Sequence, residues 1–143
     1  MERLKLRVAA YCFLIKEDTI LLSRRFNTGW RDGDYSVPAG HLEEGEGVMD
    51  TLVREVQEET GVELRVEDVE LAHVMHRKPV QYIDFFFVTK RWSGEPAIME
   101  KDKCDDMRWF SLHDLPEHMV PSVRSAIEQY QKGIPFSDFL LEG

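Results

Sequence analysis

Apolar positions along the chain fall into alternating short runs and one clear helical stripe, and these already outline the fold. Residues 8–15 (VAAYCFLI) and 19–23 (TILLS) read as two strands joined by the turn Lys16-Glu17-Asp18, a hairpin. Residues 26–47 are rich in Gly, Asp and Asn and contain Pro38, so they read as one long loop, of a length that usually serves a function. Helical periodicity then runs over residues 48–60 and stops at Gly61, a C-cap residue. Two more strands follow over 69–76 and 82–92, the second too apolar (YIDFFFV) to face water on both sides, and residues 107–110 read as a short strand. A second helix over 121–132 places Val123, Ile127 and Tyr130 on one stripe. The sum is an α/β chain, a mixed sheet with helices packed on it. Its 143 residues, without repeats or a linker, read as one domain, 1–143, around a single core.

Composition narrows the setting. No apolar run approaches the roughly 18 residues that span a bilayer, and the short apolar stretch after the basic N-terminus reads as a strand rather than a signal peptide. Cys12 and Cys104 belong to no metal-binding spacing and read as free thiols in a reducing, cytoplasmic setting. The formal net charge of −9 argues against a nucleic-acid polymer or an anionic membrane as partner. Much of that charge is local, because Glu43, Glu44, Glu46, Asp50, Glu55, Glu58, Glu59 and Glu63 face only one base, Arg54, in the same stretch.

On a helical wheel Glu55, Glu58 and Glu59 share a sector about 100° wide beside the apolar stripe of Met49, Leu52, Val53 and Val56. Like charges at these spacings repel, and a solvated acidic face is the simplest reading. The loop before the helix adds a second reading. Gly40 and Gly45 permit positive φ or close backbone approach, and a hard divalent cation takes carboxylate and carbonyl oxygens together with substrate phosphates. Such a cation turns repulsion into attraction and brings a polyphosphate to an acidic surface. Arg54 is long enough to reach back to Glu46 as a charge-assisted pair.

Gly40, five residues, Glu46, seven residues, then REVQEETGV over 54–62 resembles the full Nudix box, with every specified position filled. The flanking strands and C-terminal helix resemble the small MutT-like branch. The resemblance implies a Nudix-type α/β/α sandwich with a mixed central sheet, and Mg²⁺- or Mn²⁺-dependent hydrolysis of a nucleoside diphosphate linked to another group. It implies Glu55, Glu58 and Glu59 as metal ligands, one of them also serving in water activation, with the Ala39 carbonyl as a backbone ligand. It implies Glu46–Arg54 as a structural salt bridge and Gly40 and Gly61 as turn positions. Counted from Gly94-Glu95-Pro96, Glu100 falls where MutT-like enzymes carry a further metal-binding glutamate.

Outside the box, Arg24 and Arg25 close a strand beside the proposed site and are either exposed bases or phosphate ligands. Trp30 and its neighbour Arg31 stand in the loop, where Trp30 either packs or stacks on a base. His76 and Arg77 end a strand, and Asp84, set among apolar residues, is either a satisfied structural carboxylate or a reader of base or ribose. The leading expectation is a nucleoside triphosphate pyrophosphohydrolase releasing a monophosphate and pyrophosphate. Residues 116–123 carry no Asn of the kind that reads oxidised guanine, and Pro79, seventeen residues past Val62, sits near a marker of ADP-ribose pyrophosphatases. An ADP-ribose or nucleotide-sugar pyrophosphatase and a non-catalytic nucleotide sensor are the alternatives. The tail 134–141 is apolar enough to cover either the core or the partner subunit of a homodimer.

Overall fold

The computed structural model describes residues 2–140. Its elements are β1 (Arg7–Lys16), β2 (Thr19–Arg25), β3 (Tyr35–Ser36), β4 (Ala39–His41), α1 (Val48–Thr60), β5 (Glu70–Lys78), β6 (Tyr82–Thr89), β7 (Cys104–Ser111), α2 (Pro121–Gln131) and β8 (Phe136–Leu140), with a short 3-10 turn over Val66–Asp68. The strands form a mixed sheet in the order β3-β2-β1-β6-β5-β8, with β4 also paired to β1 and β7 to β2. β1 lies parallel to β6 from Arg7 opposite Tyr82 to Leu14 opposite Thr89, and β5 lies parallel to β8. The remaining pairs are antiparallel.

Strand parity explains why β1 is apolar almost throughout. Alternate side chains of a strand point to opposite faces. Phe13 and Ile15 join Phe86, Met75 and the α2 residues Val123 and Ile127 in one core layer, against which Tyr11 packs. Ala10, Cys12 and Leu14 join Phe87 and the α1 residues Leu52 and Val56 in the other. The sheet therefore has a helix on each face, the mixed α/β sandwich expected.

α1 matches its expected bounds. The Asp50 carboxylate accepts the Gly47 N–H at 2.9 Å, and Gly61 ends the helix in the left-handed region (φ 77°), donating its N–H to the Gln57 carbonyl at 2.9 Å. The long loop is a partial correction, because it contributes β3 and β4 to the sheet. Between them Pro38, which has no N–H, accepts the Cys12 N–H at its carbonyl (2.9 Å). The tail is likewise a strand. Phe139 of β8 packs on the chain's own core while Phe136 and Leu140 are exposed; Leu141 lies outside the described residues. No helix among the described residues is long and apolar enough to cross a membrane.

Candidate active site

α1 and β4 bring the acidic stripe to one wall of a cleft of about 1110 Å³. Glu55, Glu58 and Glu59 line it together with Ala39 and Gly40, and Glu100 enters from the loop before β7. That loop is fastened to the end of α1, the Ala97 N–H donating to the Thr60 carbonyl at 3.0 Å and the Met99 N–H to the Glu59 carbonyl at 3.4 Å. The fastening places Glu100 close enough to raise the pKa of Glu59.

Glu59 is the most deeply set of these acids. Burial pushes its carboxyl well up, repulsion from Glu55 and Glu100 adds to the shift, and the Ala39 N–H, donating at 3.1 Å, opposes it. Glu55 is also raised, by burial first and by the Glu58 charge, against the pull of Arg54. Each of the two carboxyls thus feels the other. Gly40 makes room for this arrangement, since a Cβ there would overlap the Glu55 side chain. Gly45 instead supplies a positive φ of 85°.

Arg54 is the hub of the acidic wall. Its Nε and Nη2 donate to Glu46 at 2.7 and 3.0 Å, the bidentate pair expected, and its Nη1 donates to Glu55 at 2.8 Å and to Glu58 at 3.3 Å. The guanidinium holds the Glu46 carboxyl down at about 2, helped by the Thr51 hydroxyl at 2.8 Å, and the carboxylates in turn raise Arg54.

A hard divalent cation fits this donor set: oxygen atoms only, two carboxyls whose charge is unfavourable without a counter-ion, and a glycine cradle over which Glu55 passes. Among the described residues no three acidic, histidine or cysteine side chains are already gathered as a chelating group, and Glu55 and Glu58 are engaged by Arg54. The residues that would hold the ion are Glu55, Glu58 and Glu59, with Glu100 and the Ala39 carbonyl beside them.

The cleft also has a basic and aromatic lining. Arg24 and Arg25 both line it although they are neighbours on β2, because the β2–β7 register shifts between them. Arg24 donates to Asp105 at 2.7 Å, and Arg25 lies over the Trp30 ring (5.0 Å) while donating to the Trp30 carbonyl (2.7 Å). Farther along, Arg77 lines the cleft with its Nε on buried Asp84 at 2.7 Å and its guanidinium 4.1 Å from the centre of the Tyr82 ring. Burial works to lower the Arg77 pKa, but the bond to Asp84 raises it, so the guanidinium stays charged.

Three of the expected substrate residues do not line the cleft. His76 follows the other strand parity and bonds Gln81 at 2.7 Å; Arg31 pairs with Asp34 at 3.5 Å; Asp84 is wholly buried beneath Arg77, the structural alternative for that residue. The sequence reading passed over Arg7, His41 and Tyr82. Arg7 donates to the Tyr82 hydroxyl at 3.3 Å, and the His41 ring stacks near Tyr82 at 5.5 Å. For Arg7 the signal is the alternation of Arg7, Ala9 and Tyr11 on one face of β1, all three in the cleft; His41 and Tyr82 reach it only through the pairing of β4 and β6 with β1.

A mixed sheet between two helices thus carries an acidic helix stripe and guanidinium groups in one cleft, an arrangement whose chemistry suits a phosphate-rich ligand and a divalent cation. The NUDIX domain model matches residues 5–130, so the chain belongs to the Nudix family, whose members typically use divalent metal ions. It is 39% identical over 111 residues to an NAD-capped RNA hydrolase NudC of Pseudomonas putida, an alignment covering 76% of this chain and 37% of that protein. The chain thus spans little more than a third of the length of the curated relatives it matches. Among solved structures it resembles a MutT NUDIX hydrolase from Burkholderia pseudomallei (TM-score 0.80, 27% identity, 87% of this chain and 98% of that one). A NUDIX hydrolase from Nitrosomonas europaea is similar at TM-score 0.76 and 27% identity, covering 92% and 93%.

Proposed function

We propose that this chain hydrolyses a phosphoanhydride bond of a nucleotide with the help of Mg²⁺ or Mn²⁺ held by Glu55, Glu58, Glu59 and Glu100. The observation that carries the reading is that the acidic stripe of α1 lines one cleft together with Arg24, Arg25 and Arg77. When bound, the cation screens phosphate charge and lowers the pKa of a water molecule. The chain's own groups do the rest. Arg24 and Arg25 grip phosphate oxygens, Trp30 offers a ring to the base, and Glu46 with Arg54 fixes the angle at which Glu55 and Glu58 enter the cleft. One carboxylate of this set, held in place by the same network, accepts the proton that the attacking water gives up.

The first substrate class is a nucleoside triphosphate, cleaved to a monophosphate and pyrophosphate, in a cytoplasmic, reducing setting. Support comes from the likeness to a MutT NUDIX hydrolase along nearly all of that chain, and from two unpaired thiols. A second class, a nucleoside diphosphate joined to another moiety as in the NAD cap named for the NudC relatives, is favoured by their higher identity. It is favoured also by two aromatic and basic platforms, Trp30 with Arg25 and Tyr82 with Arg77, both lining the cleft of the carboxylates. The test is a hydrolysis panel of triphosphates, NAD, ADP-ribose, nucleotide sugars and NAD-capped RNA with Mg²⁺ or Mn²⁺, with products identified. Pyrophosphate release marks the first class and paired monophosphates the second. No turnover of any member with either ion, in a protein that still binds nucleotide, would overturn the enzymatic reading in favour of a sensor.

A further inference from the structure

A second depression, of about 300 Å³, lies where β1 and β6 end, lined by Lys16, Lys90, Arg91, Trp92, Glu95 and Trp109 among others. Lys16 is the last residue of β1, and Lys90 and Arg91 directly follow β6. Arg7 and Tyr82, at the opposite ends of the same two strands, line the cleft. Ten residues of strand at about 3.3 Å each put about 30 Å between the ends, so this depression is separate from the cleft.

Its chemistry is unlike that of the chain as a whole. In a protein of net charge −9, three exposed cations stand together here, and none of them forms an ion pair among the described residues. Carrying unpaired like charges side by side costs free energy that an anion removes. The wall beside them is a pair of half-buried indoles, Trp92 and Trp109, with ring centres 5.9 Å apart and planes 15° from parallel. Glu95, the one acid in the lining, adds a carboxylate that can accept from an amino group. Cations for phosphate beside flat rings for bases is the combination by which proteins hold nucleotides and single strands without reading sequence.

The geometry points to this depression as a second binding site for a nucleoside phosphate, free or as a unit of a single-stranded nucleic acid, independent of which anhydride is cleaved in the cleft. Lys16, Lys90 and Arg91 contact the phosphate and the Trp92–Trp109 pair packs against the base.

The test uses indole fluorescence. Of the three tryptophans, Trp30 belongs to the cleft, so a Trp30→Phe background leaves emission from Trp92 and Trp109 alone. The probes are AMP and a ten-nucleotide single-stranded RNA with a 5′-hydroxyl, which offers no anhydride. Saturable quenching is expected, weakened at least tenfold by Lys90→Glu with Arg91→Glu. For the RNA, one neutralised phosphate predicts a slope of about −0.7 for log K against log salt. The same charge reversal, in the chain with Trp30 intact, is expected to leave turnover of the best small substrate from the panel unchanged. A strand as the natural ligand is indicated by RNA binding at least tenfold tighter than AMP, and a free nucleotide by the reverse. Absence of quenching by both probes at low salt, or quenching that survives the charge reversal, overturns the site.

Discussion

Glu59 carries an uncomfortable charge, and that discomfort is measurable. Because its folded carboxyl is raised above the ordinary value, the folded chain holds more protons than the unfolded one through that range. Without divalent ions, stability should therefore fall as pH rises from the ordinary carboxylate range through the raised value. Glu59→Gln should flatten this loss and abolish turnover, as followed by melting temperature against pH in EDTA. An unchanged slope in that variant would remove Glu59 as its source. Glu100 makes a second prediction at this scale. Glu100→Gln should lower turnover at least tenfold, about 1.4 kcal/mol of transition-state stabilisation, with the metal-free melting temperature unchanged. A fully active Glu100→Gln beside a crippled Asp102→Asn would move the second wall of the site to that aspartate. The glutamates were legible in the sequence because their spacing fixes their sector on a helix. Arg24, Arg25 and Arg77 were also named from the sequence and line the cleft, but His76 was named and does not, and Arg7 was not named and does, because parity decides which strand residues enter a cleft and sequence gives no origin for the count. Arg24 and Arg25 break parity at a register shift, whereas His76 and Arg77 obey it and part company.

At the scale of elements, Arg54 and Glu46 join α1 to the loop that precedes it. Arg54 is expected to act by orienting the helix, so Arg54→Ala should reduce kcat more than it raises KM. Glu46→Gln should give little further loss in that background, since both changes remove one interaction. Independent effects on kcat in the double-mutant cycle would show that the two residues act separately. The bounds of α1 were readable because a 3.6-residue stripe ends at a glycine already suited to a positive φ. β3 and β4 were not, as two and three residues carry no period of their own and become strands only by pairing with β2 and β1. β8 was hidden in the same way, its apolar residues divided between the core and solvent.

Across the whole molecule, the Arg77–Asp84 pair ties the middle of the sheet to the cleft. Both residues are buried, so removing one partner strands a charge in the interior. Arg77→Leu alone should cost about 3–5 kcal/mol in denaturant unfolding, and adding Asp84→Leu should restore much of that loss. The double variant should regain stability but not substrate affinity, which separates the structural from the binding role of Arg77. An Asp84→Leu change that costs as much in the Arg77→Leu background as it does alone would mean that the pair is not coupled.

The parallel pairing of β1 with β6 also sets an order in time. Arg7 and Tyr82 meet only after a loop of some 75 residues has closed, while the stripe of α1 forms from residues a turn apart. Contacts so distant in sequence form late. The β1–β6 end of the cleft is therefore expected to close after the rest of the sheet has formed, so that φ-values at Tyr82 fall below those at Leu52 of α1, an outcome that chevron analysis of Tyr82→Ala and Leu52→Ala checks.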